Sequence, residues 1–595
     1  MNKSRIKICQ NCKEEFRIEP EDFVFYDKIQ VPPPTFCPEC RMVRRMTWRN
    51  ERSFYKNKND FSGEDIISVV SSEKPYKIYD YHTWWSDKWD PMDYGIDYDF
   101  NKSFFLQFDE LLKKVPMIAL SSGNSVRSEY LQHALDSKDC YLISAAFQNE
   151  NVLYSNRTTQ NKDLSDSYLV DHMERSYEAV NCGTSYGLFF SYGCENCMDS
   201  WFLYDCRNCS NCFGCVGLRH KSYYIFNSPH TKDSYEKFLG EFNTGSYKAV
   251  EKAKLEHREL ILNFPKKYIY SFKKTNNIVG DIIGEAKNCY KCFDVISVED
   301  CKFVAWGGLV MRDTYDGYGL GAKAELLYEI VDTGIGGSRT KFCIVVWGCH
   351  DVQYSYNCHS SANLFGCIGL RTKSYCILNK QYTKEEYEEL VPKIIKHMND
   401  MPYIDKGGRV YKYGEFFPPE LSPFAYNETV VQEYFPLTKE QAINKGYQWK
   451  DPETKNYTIT LKTEQIPDHI KDVKDTITDE IIECSHNKQQ CNEQCSTAFK
   501  IIPRELEFYR NNNLPIPRLC PNCRHYQRVK QRNPLKLWHR QCQCAGTHSD
   551  NGVYQNTIEH NYHGTDHCPN EFETTYAPER PEIIYCEKCY QEEII

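Results

Sequence analysis

At 595 residues the chain is too long for one hydrophobic core, and with 41% hydrophobic and 26% charged residues it has material for three or more domains. No apolar run approaches the roughly twenty residues of a membrane span, and the polar start MNKSRIKICQ is no secretory signal, so a soluble protein without a membrane partner is expected. Thirty cysteines and a net charge of −9 then point to a reducing compartment, the cytoplasm, where thiols bind metal or lie buried. Abundant Lys, Asn, Ile and Tyr suit an AT-rich genome, which adds a viral factory or a virion as alternative locations.

Residues 1–60 read as a treble-clef-like zinc finger with a basic helix. Cys9-x2-Cys12 and Cys37-x2-Cys40 supply four thiolates, the complement of a closed structural zinc site with no position left for substrate. The sequence CPECR resembles the second knuckle of a treble-clef or zinc-ribbon finger, whose last two ligands sit on a turn leading into a helix. Along that helix Arg41, Arg45 and Arg49 fall at i, i+4 and i+8 and share one face. Like charges at this spacing repel by roughly a few tenths of a kcal/mol per pair, so something anionic should compensate them. Three surroundings fit: nucleic-acid phosphates, an acidic surface of the same chain, or solvent alone. Trp48, Phe54, Tyr55 and, later, Trp538 either stack on bases or close the small core of their module.

Residues 61–130 form an aromatic and acidic connector in which Trp84, Trp85 and Trp89 either face a ligand or pack inside. Two repeats follow, 131–275 and 276–400, related by an offset of 152 that matches Tyr204/Tyr356, Cys206/Cys358, Gly214/Gly366, Asn227/Asn379 and Thr231/Thr383. Short pieces such as CYLIS, NVLYS, SYLV and KSYYIFN recur every ten to thirteen residues or so, separated by polar turns. The pattern is that of a duplicated β-solenoid at the centre of a mainly β protein, with a β-sandwich built twice as the competing fold. Each repeat closes on helix-like sequence, SPHTKDSYEKFL and QYTKEEYEELVPKIIKHM, whose Thr suits an N-cap and whose helices are expected to cap the coils. Cys206, Cys209, Cys212 and Cys215 stand at every third position. Alternate residues of a regular strand share a face, so this spacing keeps the four sulfurs apart, and they read as buried packing residues; a metal cluster would require a turn.

Residues 401–480 read as an extended linker with a short helix near LTKEQAINKG. The second treble-clef-like finger, 481–540, repeats the first at a constant offset of 483: Cys12/Cys495, Phe16/Phe499, Pro20/Pro503, Cys37/Cys520 and Cys40/Cys523 match, and the arginines recur as Arg524, Arg528 and Arg532. Its expected ligands are Cys491, Cys495, Cys520 and Cys523, with Cys484 and His486 as substitutes for Cys491. Residues 541–595 form a zinc-ribbon-like module with Cys542, Cys544, Cys586 and Cys589 as ligands and Cys568, His560, His563 and His567 in reserve. Residues 1–58 carry a net +5 and residues 496–540 a net +8, so the rest of the chain sums to −22. Charge is segregated by module.

The chain has no Walker phosphate loop, no His-Glu-x-x-His helix and no Gly-x-Ser-x-Gly elbow, and GYGLG and GIGGSRT lack the full dinucleotide pattern. A non-enzymatic protein is therefore favoured, with polysaccharide cleavage on a solenoid wall as the enzymatic alternative. The segments PPPTFCPECRMVRRMTWRNERSFYK, WWSDKWDPMDYG, NCFGCVGLRHKSYYIFN, EYFPLTKEQA and PIPRLCPNCRHYQRVKQRNPLKLWHR resemble a family of cysteine-rich zinc-finger proteins associated with minimal-genome bacteria and some large DNA viruses. Some of its members carry a CoA-transferase (CaiB/BaiF) label, which no motif here supports. The expectation is a zinc-stabilised protein with two Zn2+ sites and a third candidate, whose arginines at 41, 45, 49, 524, 528 and 532 contact RNA or DNA backbone. The alternative is a structural or virion-type scaffold, open to self-association, in which those arginines pair with acids of the same chain.

Overall fold

The computed structural model describes residues 3–451, 457–486 and 493–594, and the protein is mainly β. From Ser122 onward the chain pairs with itself in parallel at a step of twelve residues: Ser122↔Ala134, Glu129↔Tyr141, Asn156↔Tyr168, Tyr186↔Met198 and, in the last turns, Phe213↔Ile225. The local cause is a left-handed residue at every third position, including Arg127, Tyr130, His133, Asp136, Asp139 and Leu142, all with φ between 48° and 56°. A left-handed conformation disfavours most L side chains. Here it is held by hydrogen bonds between turns, in which the corner N–H donates to the carbonyl thirteen residues back, as from Asp139 to Val126 (3.0 Å) and from Tyr154 to Tyr141 (2.9 Å).

The residue after each corner points inward. Leu131, Ala134, Cys140, Ile143, Val152, Leu164 and Leu188 line this core, and Cys206, Cys209, Cys212 and Cys215 continue it. The expectation that a spacing of three keeps these four sulfurs apart is corrected, because the true side-chain period is three and all four point to the interior. Their reading as buried packing residues stands. Each thiol donates to the carbonyl two residues back, Cys206 to Tyr204 (3.5 Å) and Cys212 to Ser210 (3.3 Å), and among the described residues none belongs to a group able to hold a metal.

The second repeat is built likewise, with Cys289, Cys292, Val295, Val298, Cys301 and Val304 inside. Two of its turns are one residue longer: Met311 pairs with Ala324 and Glu325 with Ser338, before Ser338↔His350 restores the step of twelve. Both repeats end alike. Asn227 donates to Val216 O and accepts from Val216 N (both 2.8 Å), and Asn379 does the same at Ile368 (2.8 and 2.7 Å), so an asparagine amide substitutes for the missing next turn. The expected capping helices follow at Lys232–Glu241 and Lys384–Asp400, and Thr231 and Thr383 accept from the N–H of Ser234 and Glu386 (3.2 Å each).

The fingers match element for element. The helices Pro20–Lys28 and Pro38–Met46 of the first recur as Pro503–Asn511 and Pro521–Lys530 of the second, 483 residues on. Pro follows Cys37 and Cys520 at the first helical position, where its missing N–H removes nothing from the helix. The aromatic connector is packed: Trp84 is fully buried, donates its indole N–H to Pro116 O (3.1 Å), and lies under the Arg371 guanidinium. Residues 401–451 hold a short hairpin, 3-10 turns at Pro419–Leu421 and Tyr426–Glu428, a helix at Val431–Tyr434 and the expected one at Lys439–Asn444, and Tyr411, Phe416, Phe417, Phe424 and Val431 belong to the main core. No helix among the described residues is long and apolar enough to cross a membrane.

Candidate metal centres and the arginine helices

Cys9, Cys12, Cys37 and Cys40 lie with all four sulfurs within 4.8 Å of one another. A zinc–sulfur bond of about 2.3 Å in tetrahedral geometry places neighbouring sulfurs about 3.8 Å apart. Cys12 and Cys37 are 3.8 Å apart, far beyond a disulfide. Backbone and amide donors aim at the sulfurs, Cys37 N at Cys9 Sγ and Asn11 Nδ2 at Cys40 Sγ (3.2 Å each), as suits thiolate rather than thiol.

In the second finger the fourth corner is Cys484. It joins Cys495, Cys520 and Cys523, with Cys484–Cys523 at 3.8 Å and Cys495–Cys520 at 3.9 Å, and Cys520 N donates to Cys484 Sγ (3.2 Å). Cys491, the expected ligand, lies outside the described residues. The hairpin strand Ile482–Glu483, paired with Ala498–Phe499, delivers Cys484 to this corner, the residue expected as a substitute for Cys491.

The C-terminal ligands divide differently from the expected set. Cys542, Cys586 and Cys589 group with Cys568, while Cys544 groups with His560, His563 and again Cys589. The four expected cysteines therefore do not form one site, because Cys544 faces the two histidines. His567 belongs to neither group; its Nδ1 lies 3.1 Å from the Cys568 carbonyl.

All six of the arginines expected to reach phosphate are sealed, with exposures between 0 and 7%. Arg41 meets Asp316 (2.8 Å), Arg45 meets Asp316 (3.0 Å) and Glu329 (2.8 Å), and Arg49 bonds Glu51 (2.9 Å) and Asp332. A fourth guanidinium, Arg44, bridges Glu329 (2.6 Å) and Glu415 (2.8 Å). In the second finger Arg524 and Arg528 share Asp166 (2.7 and 2.6 Å), Arg524 also meets Glu505 (3.1 Å), and Arg532 reaches Asp294. The six arginines expected at phosphate are thus buried and turned toward carboxylates of the same chain.

The acceptors that lie on the two repeats share one structural feature. Asp166, Asp294, Asp316, Glu329 and Asp332 all occupy left-handed corners, with φ between 52° and 61°, from which side chains leave the coil and meet the docked helices. Asp316 and Glu329 stand one above the other because this turn is thirteen residues long, as the neighbouring pair Gly317↔Ile330 shows. The first finger thus lies mainly on the second repeat and the second finger on the first. Burial disfavours a charged guanidinium, yet Asp316 beside Arg41 more than offsets this, and Arg41 is held well above its ordinary value. Arg524 is raised in the same way by Asp166.

Aromatic rings complete the seal. The Arg44 guanidinium lies 4.3 Å from the Phe36 ring centroid and Arg524 lies 4.6 Å from that of Tyr154. Trp48 is buried against Phe417, the half-buried Phe54 meets the Tyr130 ring edge to face, and Tyr55 donates to Glu428 (2.5 Å). Trp538 is half-buried, with the Lys536 ammonium 5.5 Å from its ring. A cleft of about 260 Å³ between the first repeat and the second finger holds Asp163 and Glu507 together with Arg175 and Arg504. Asp163 accepts from Asn151 (2.7 Å) there. Neither a scan of protein-family models nor a search of curated proteins finds a match to this chain.

Proposed function

We propose that the protein is a non-catalytic structural scaffold in which zinc-folded fingers act as staples across a duplicated β-solenoid. Its supporting observation is the pairing of every arginine of both trios with carboxylates of the same chain. A guanidinium buried against carboxylates of its own chain is out of reach of phosphate even where a nitrogen such as Arg45 Nη2 or Arg524 Nη2 is left without a partner, and exposing it would leave a buried acid unpaired. Zinc is favoured by the donor chemistry: thiolates with imidazole in closed four-ligand groups at tetrahedral spacing suit an ion that builds shape. When bound, it cross-links segments that carry little core of their own.

The proposal is tested by titrating the purified, metal-loaded protein with single-stranded RNA and duplex DNA at 50 and 200 mM salt. A scaffold with sealed arginines shows no strongly salt-dependent association. An affinity that falls by roughly 10³ or more between the two salts, as counterion release from 6–10 phosphate contacts requires, overturns the reading.

A further inference from the structure

We infer that the C-terminal module holds a two-metal centre in which Cys589 is a bridging thiolate. The inference rests on the reading of the cysteine groups as zinc sites and goes beyond it in number and connectivity. Cys589 Sγ belongs to both local groups: it completes a four-sulfur set with Cys542, Cys568 and Cys586, and a two-sulfur, two-nitrogen set with Cys544, His560 and His563. One ion cannot serve seven donors in closed tetrahedral geometry, whereas two ions sharing one sulfur use every donor and leave each ion four-coordinate.

The distances fit this division. Cys568 and Cys586 are 3.9 Å apart, close to the value of about 3.8 Å for two sulfurs on one tetrahedral zinc. Across the second set a zinc–nitrogen bond of about 2.0–2.1 Å places nitrogen about 3.5 Å from sulfur and about 3.3 Å from a second nitrogen. Cys544 Sγ lies 3.3 Å from His560 Nδ1, which lies 3.4 Å from His563 Nε2, and that nitrogen is 3.1 Å from Cys589 Sγ.

The outer contacts identify the same donor atoms independently. A ligating imidazole normally commits its other nitrogen to an acceptor that fixes ring and tautomer. His560 turns Nε2 to the fully buried carboxylate of Glu593 (3.2 Å), leaving Nδ1 for metal, and His563 turns Nδ1 to the Asp566 carbonyl (2.8 Å), leaving Nε2. Glu593 is itself fixed by the Tyr554 hydroxyl (2.8 Å) and the Thr557 N–H (2.7 Å). Cys589 and Glu593 are one helical turn apart in Glu587–Ile594, so a single helix supplies both the bridge and the support. Amides of Asn570 and Asn556 donate to Cys586 and Cys544 (3.2 Å each), one at either end of the cluster. Five thiolates against two divalent ions leave the centre one negative charge, which these donors face.

The test is the metal content of the intact zinc-loaded chain by native mass spectrometry. One ion in each finger and two at the C-terminus give four per chain. Three per chain overturns the bridge while leaving the finger sites in place, and none overturns the zinc reading itself. Connectivity is read from variants: Cys589→Ser loses two ions, whereas Cys568→Ser and Cys544→Ser lose one each. A loss of one ion from Cys589→Ser contradicts the bridge. Because Cys589→Ser can unfold the module, the cadmium-113 spectrum of the unmutated protein gives a second readout: two C-terminal resonances that split each other through the shared sulfur are expected, and two unsplit resonances contradict the inference.

Discussion

Glu329 illustrates how much one side chain carries, since it is fully buried and accepts from Arg44 and Arg45 while Arg41 stands 3.8 Å away. Removing one member of a buried ionic set leaves the others uncompensated, at about 3–5 kcal/mol. Glu329→Gln is therefore expected to lower the free energy of unfolding by about that amount in denaturant titrations, and a loss below 1 kcal/mol would contradict the assignment. A second residue sets a pH response. Burial among the Trp84, Trp85 and Trp347 rings pushes His359 down from 6.5 to about 3, so it is neutral in the folded protein. Between those values the unfolded chain binds the proton and the folded chain does not, so stability present above about pH 6.5 is lost as pH falls, by about 1.4 kcal/mol per pH unit. His359→Gln is expected to flatten the stability profile across this window relative to the unmutated protein; parallel profiles would show that His359 titrates normally.

At the scale of elements, the three-residue side is the unit that the sequence pattern concealed. Alternation is the usual mark of a strand, and the chain defeats it by placing Asn, Asp, Leu and even Tyr in left-handed corners that ordinarily favour glycine. The signal was nonetheless present, because inward positions from Leu131 to Cys215 keep one phase of three, and oppositely charged pairs such as Arg127/Asp139, Lys138/Glu150 and Arg339/Asp351 stand twelve apart. Two predictions belong here. Leu364→Ala, at a fully buried inward position, should cost about 2–5 kcal/mol, measurable as a shift in the denaturant midpoint. The sixteen cysteines from Cys140 to Cys376 are all buried, so alkylation read by peptide mass spectrometry should leave them unmodified when a chelator opens the metal groups. Reaction of Cys206–Cys215 at the same rate as Cys37 and Cys40 would show that the coil interior depends on metal.

At the scale of the molecule, the finger duplication was legible from an offset of 483 residues, and with it the first cysteine group and the helices Pro38–Met46 and Pro521–Lys530. Where those helices point was not, because the carboxylates that receive Arg45 stand 271 and 284 residues away in sequence. Cys484 was legible only as a substitute for Cys491, since it lies eleven residues before Cys495 instead of forming a short knuckle with it. Each finger joins distant parts of the chain: the first also bonds residues 410–428, as Gln10 does Val410 and Thr35 does Glu415. Metal removal should therefore loosen the whole assembly and lower its melting temperature.

The most direct measurement compares Arg45→Met and Arg528→Met with the unmutated protein in two assays: unfolding in denaturant, and RNA titration at 50 and 200 mM salt. Staples sealed against Asp316, Glu329 and Asp166 predict a loss of about 3–5 kcal/mol in each variant with RNA binding unaltered. Unchanged stability together with weaker RNA binding, its log-log salt slope flatter by about one unit per arginine removed, would contradict the account.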